Sequence, residues 1–143
     1  MGAVGCFLLG LHWPLIAPCQ VIPDGRFGSS TPLKGPDYVI DPSLGQAKDA
    51  NLFHSFSQFN IFQGESATFT TGSAANRNII VGISGGNPST IDGRRSCPEP
   101  GTNLYLVNPK GLMFGPNASL DLNGSFFAST ASQLLLPMDR RGR

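Results

Sequence analysis

The 143-residue sequence is short of charge: Asp, Glu, Lys and Arg make up 13% of it, and the formal net charge is +1. That poverty excludes a polyelectrolyte tail, a charge-rich coiled coil and a basic face broad enough for nucleic acid, so no nucleic-acid partner is expected. Even the small positive excess is local. Arg140, Arg141 and Arg143 are 3 of the 10 basic residues, whereas residues 20–138 carry 7 basic and 8 acidic side chains. Cysteine is scarce too, at 3 residues, and two of these, Cys6 and Cys19, fall in the first 19 positions. The remaining Cys97 can make neither an internal disulfide nor a zinc site by itself, and it reads as a lone small residue in a turn-rich segment. What the chain has in quantity is glycine (18) and proline (12), beside a hydrophobic fraction of 40%. Dense turn formers argue against long helices, and the apolar fraction argues against a disordered chain. A turn-rich, all-β protein is expected.

Residues 1–23 contain no Asp, Glu, Lys or Arg. Ala3 to Pro18 is apolar but broken by His12 and Pro14, too short to span a bilayer as a helix. It suits the apolar part of a secretory signal, with Ala17-Pro18-Cys19 ahead of a cut before Gln20, although the usual basic leader is missing. Residues 1–19 are therefore assigned to a signal peptide handled by the general secretory translocon. Ile16-Ala17-Pro18-Cys19 roughly resembles a lipobox, but proline before the cysteine counts against lipidation.

Residues 24–50 read as loop, punctuated by Gly25, Gly28, Pro32, Gly35, Pro36, Pro42 and Gly45, with a short strand at Tyr38-Val39-Ile40. Asn51 to Ile61 is aromatic-rich. Its phenylalanines at 53, 56 and 59 have helical spacing, but the Ser, Asn and aromatic content favours a strand with a bulge. Further strands are expected at residues 67–71, 78–84 and 89–92. The most regular stretch runs from Leu104 to Ala128. Leu104, Leu112 and Leu120 recur every eight residues, each opening a triplet whose outer members are apolar and whose centre (Tyr105, Met113, Asp121) points the other way. Corners of Asn, Pro and Gly separate the triplets. Three such pieces make one coil of about 24 residues, within the periods known for solenoids. A small β-sandwich with tight hairpins remains the alternative at this point.

These blocks resemble the N-terminal secretion domain of filamentous-haemagglutinin-like exoproteins, the haemagglutination activity or TPS domain of two-partner secretion, most closely the variants common in cyanobacteria. The resemblance starts at Val21-Ile22-Pro23-Asp24-Gly25 and continues through Tyr38-Val39-Ile40-Asp41. It is most distinctive over Asn51-Leu52-Phe53-His54-Ser55-Phe56-Ser57-Gln58-Phe59-Asn60. Gly85-Gly86-Asn87-Pro88-Ser89 follows, and then Asn103 to Ala118 with Asn108-Pro109-Lys110-Gly111, where the family has Asn-Pro-Asn-Gly. The resemblance implies an all-β, right-handed parallel β-helix (single-stranded, pectin-lyase-like) with an N-terminal cap. It also implies a secretion address, recognised in the periplasm by the POTRA domains of an outer-membrane transporter, for a protein secreted to the cell surface of a Gram-negative-type bacterium. The expected organisation is a signal at 1–19, an incomplete secretion domain at 20–131 and a divergent tail at 132–143, without the passenger that normally follows. The secretion-motif candidates are Asn51, Leu52, Phe53, His54, Phe56, Phe59, Asn60, Asn108, Pro109, Lys110 and Gly111.

No catalytic, cofactor-binding or metal-binding residue is assigned. The body has one histidine, His54, set among aromatics as a core residue would be, and no carboxylate pair has the spacing of acid/base work. A surface adhesin or carbohydrate-binding β-helix fragment is the alternative, with an exposed Tyr105 as a contact and a host or surface glycan as ligand of the missing passenger. A polysaccharide-active β-helix enzyme is more remote.

Overall fold

Short runs that alternate apolar with small polar residues can bury only one face each, so they must stack on one another. A computed structural model describes residues 20–72, 77–97, 101–122 and 124–131, and the expected signal (1–19) and tail (132–143) lie outside them. Among the described residues the strands are β1 (Val21–Pro23), β2 (Asp37–Ile40), β3 (Gln46–Lys48), β4 (Asn51–Phe59), β5 (Ser66–Phe69) and β6 (Asn78–Ile83). They continue as β7 (Ser89–Ile91), β8 (Arg94–Cys97), β9 (Asn103–Val107), β10 (Leu112–Phe114), β11 (Ser119–Leu122) and β12 (Phe126–Ser129). The one helical piece among them is a 3-10 turn at Pro42–Leu44, capped by Asp41.

The strands form three sheets. The first runs β1-β4-β6-β9-β12 with β3 also on β4, the second β11-β8-β5-β2, and the third β10-β7. A bridge from Ile61 to Ile91 extends the third. Every pairing between successive coils is parallel. The result is an all-β, right-handed parallel β-helix of about three turns. The eight-residue spacing is one strand per sheet: β9, β10 and β11 lie on the first, third and second sheets, and β12 returns to the first. Pairing offsets shorten along the helix, from 27 residues (Leu52 to Ile79) to 25 (Ile79 to Leu104) and 22 (Leu104 to Phe126).

The core is a set of inward columns. Leu52, Ile79 and Leu104 stack in register, and Phe56, Phe59, Ile61, Phe69 and Ile91 fill the interior, all fully or nearly fully buried. The rings of Phe56 and Phe59 lie 5.4 Å apart. Burying such a ring stabilises by roughly 1.5–3 kcal/mol. The helical spacing of residues 53, 56 and 59 has a strand explanation. The partners of β4 on β1 jump from Gln58 to Phe56, a bulge that turns Phe56 and Phe59 to the same inward face while Phe53 faces out. At the N-terminal edge of the first sheet, β1 and β3 both run antiparallel to β4 and form a cap.

Two readings are corrected. Cys97 is not in a turn: it is buried at the end of β8, paired with Leu122. Its neighbours Arg94, Arg95 and Ser96 look unlike a strand, but the ladder across Ser66–Thr68 makes them one. Tyr105 is not an exposed contact either. It is 3% exposed, stacked on Phe127 at 4.6 Å and paired with Ile80 on its other side. Stacking in a column buries an outward ring as well as an inward one.

Candidate recognition groove

The two distinctive sequence blocks occupy different coils, and the parallel register decides which of their side chains meet. Block Asn51–Phe59 is β4 itself. Its inward members Leu52, His54, Phe56 and Phe59 are buried. His54 packs 6.0 Å from the Phe56 ring and 6.2 Å from Phe69, and neither of its nitrogens has a hydrogen-bond partner. Burial lowers its pKa from 6.5 to about 4 against the opposing charge of Asp41, so the ring is neutral at pH 7. It is a core residue in this geometry.

The polar ends of the block hold corners. Asn51 accepts from the Asn78 amide at 2.8 Å, and Asn78 accepts from Asn103 at 3.0 Å. Asn103 in turn accepts from the Ser125 backbone N–H, which completes a ladder from β4 through β6 and β9 to the start of β12. Asn78 and Asn103 were not among the sequence candidates; asparagines at successive strand starts, 27 and 25 residues apart, are the signal that could have found them. Asn60 accepts from the Thr90 N–H at 2.8 Å.

Asn108-Pro109-Lys110-Gly111 forms the corner from the first sheet to the third. Asn108 is fully buried. Its amide donates to the Asn87 carbonyl (3.0 Å) and the Ser89 hydroxyl (2.9 Å), and its Oδ1 accepts from the Lys110 N–H (2.9 Å). Gly111, at φ +124, closes the turn onto the Asn108 carbonyl and accepts from Ser89 N–H. Only the backbone of Lys110 takes part, and the residue is exposed, so lysine in place of the family's asparagine leaves the corner intact. Buried polar groups that are this well paired rigidify a turn.

Phe53, Pro109 and the largely buried His54 are the candidates that come together. All three line an open groove of about 290 Å³ along the first sheet, where Ile80, Val107, Arg26 and Phe27 also contribute and His54 is 3% exposed. Phe53 pairs with Ile80 in register. The loop that carries Arg26 and Phe27 is set by Asp24, whose carboxylate accepts from Ser55, Ser84 (2.6 Å) and the Arg26 N–H (2.9 Å). Burial pushes the Asp24 carboxyl up, but these hydrogen bonds and the Arg26 charge outweigh it and hold the pKa below 3.8. Gly25, at φ +87, makes the accompanying turn. Arg26 and Phe27 sit in the stretch read as loop, and nothing in the local sequence singles them out. Asn51, Asn108, Lys110 and Gly111 do not line the groove.

A protein-family description, "TPS secretion domain", matches residues 19–141. The chain belongs to the TPS secretion domain family. No curated protein and no solved structure matches it. Membership makes this TPS domain a targeting domain of an exoprotein exported by two-partner secretion, and such exoproteins belong to Gram-negative bacteria. Its partner class is therefore an outer-membrane transporter.

Proposed function

We propose that this TPS domain is a non-catalytic address, and that POTRA domains of its transporter read it through the groove where Phe53 meets Pro109. The observation that carries the reading is convergence: two blocks more than 50 positions apart place one apolar side chain each in a single groove on the first sheet. Phe27 adds a third apolar surface and Arg26 a charge at the rim. An apolar groove with one cationic edge suits an extended segment whose alternate side chains enter the pockets, the usual logic of β-strand recognition. The remaining candidates have supporting roles. Asn51, Asn60 and Asn108 hold coil corners, while Leu52, His54, Phe56 and Phe59 hold the core behind the groove.

The secretion reading also accounts for the composition. A single buried thiol in the described part leaves no internal disulfide there to cross-link the chain before it reaches its transporter. Domain limits of 1–19 for the signal, 20–131 for the address and 132–143 for the tail are part of this proposal. The test is binding of purified POTRA domains to the chain and to its Phe53→Ala, Pro109→Ala and Phe27→Ala variants, with Val39→Ala on the second sheet as control. Each groove variant should weaken binding by about tenfold, a loss of about 1.4 kcal/mol. Affinities unchanged across all three would reject the groove.

A further inference from the structure

Glycine weakens a strand interior, because it loses the most conformational freedom on folding and brings no side chain to pack. Gly82 is such a residue. It lies within β6 (Asn78–Ile83), which runs between β4 and β9 in the middle of the first sheet. Several other glycines of the chain have a visible reason. Gly25 and Gly111 hold positive φ, and a Cβ on Gly85 or Gly93 would overlap the Ser57 or Glu65 carbonyl oxygen. Gly82 has neither. Its φ lies outside the left-handed region, and beyond its own chain neighbours an added Cβ would meet the His54 carbonyl oxygen at 4.0 Å and nothing nearer.

What the missing side chain leaves is space in the groove. Gly82 pairs with Ser55 on one side and with Val107 on the other. Side chains in register across a parallel ladder share a face, so a side chain at 82 would stand between those of Ser55 and Val107, and all three residues line the groove. The surroundings define what can enter. Phe27, Phe53, Ile80, Val107 and Pro109 make the lining apolar. The hydroxyls of Ser55 and Ser84 are already donated to Asp24. Arg26 is exposed and is the one charged side chain on the lining among the described residues, since His54 is neutral at pH 7. The carboxylate of its own loop, Asp24, already accepts three hydrogen bonds. An entering segment therefore gains from one large apolar side chain and from a carboxylate near the rim.

We propose that Gly82 sets the specificity of this groove: the space over it receives one bulky apolar side chain from an extended segment of the transporter's POTRA domains, and Arg26 pairs with an acidic residue close to that side chain on the same segment. This specificity rests on the groove being the POTRA site.

Binding of purified POTRA domains to variants of the full chain is the test, with urea unfolding of each variant beside it. Gly82→Val puts a β-branched side chain into a strand, where such residues fit well. Its urea midpoint should hold or rise while POTRA binding weakens by at least about tenfold. Gly82→Ala should bind with an affinity between those of Gly82→Val and wild type. Arg26→Gln should weaken binding several-fold and remove most of its dependence on salt. Undiminished binding by Gly82→Val, with Phe53→Ala and Pro109→Ala weakened, would overturn the role of Gly82 and leave the groove standing. Undiminished binding by all three would reject the groove and the role of Gly82 together. A lower urea midpoint for Gly82→Val would assign the glycine to packing, which also overturns its role in specificity. Wild-type affinity and salt response in Arg26→Gln would overturn the acidic neighbour.

Discussion

His54 makes the stability of this domain depend on pH in a window where few other groups act. The ring is buried between Phe56 and Phe69 and takes a proton at about 4 in the folded chain, against 6.5 when free. The unfolded chain therefore binds the proton more readily, and protons favour unfolding. The contribution is complete above pH 6.5 and is lost as pH falls through 6.5 toward 4. At about 1.36 kcal/mol per tenfold change in proton affinity, roughly 2.5 kcal/mol is gone by pH 4.5. With a urea slope of about 1–3 kcal/mol/M, the unfolding midpoint should drop by about 0.8–2.5 M between pH 7.5 and 4.5. Asp24 and Asp41, whose carboxyls are held below 3.8, lose their contributions only at lower pH. A His54→Leu variant keeps an apolar side chain of similar size and should abolish most of the drop. If wild type and His54→Leu fall equally over this range, the ring is not the buried neutral group described here.

Other substitutions separate corner, core and close packing. Asn108→Ala removes two donated hydrogen bonds and one accepted bond from a fully buried corner and should cost about 3 kcal/mol in urea unfolding, while Lys110→Asn should change stability by less than about 0.5 kcal/mol. Phe56→Ala should cost about 3–5 kcal/mol, as expected for an emptied aromatic site in a close-packed core. A Cβ on Gly85 would overlap the Ser57 carbonyl, so Gly85→Ala should lower the thermal midpoint by several degrees or prevent folding, whereas Gly86→Ala, with open space around it, should be nearly neutral.

The sequence displayed this fold unusually well in one stretch and poorly in others, for physical reasons. From Leu104 to Ala128 each coil face is a triplet with apolar outer residues, so period and corners are visible directly. β8 was hidden because its inward residue is Arg95, a cation where the pattern requires an apolar side chain. β3 was hidden because all three of its residues are exposed and it is defined only by its ladder to β4. The bulge in β4 disguised a strand as helical spacing, since one inserted residue converts a period of two into a step of three. In the groove, Phe53 and Pro109 were each visible as members of distinctive blocks. Their meeting was not, because it depends on parallel register across two coils and on a cap loop tied down by Asp24, neither of which leaves a local trace.

The role as a transport address is tested most directly by export itself. The chain, directed to the periplasm of a Gram-negative host, should appear in the medium when its cognate outer-membrane transporter is co-expressed and should remain cell-bound without it. Equal release with and without the transporter would contradict the assignment.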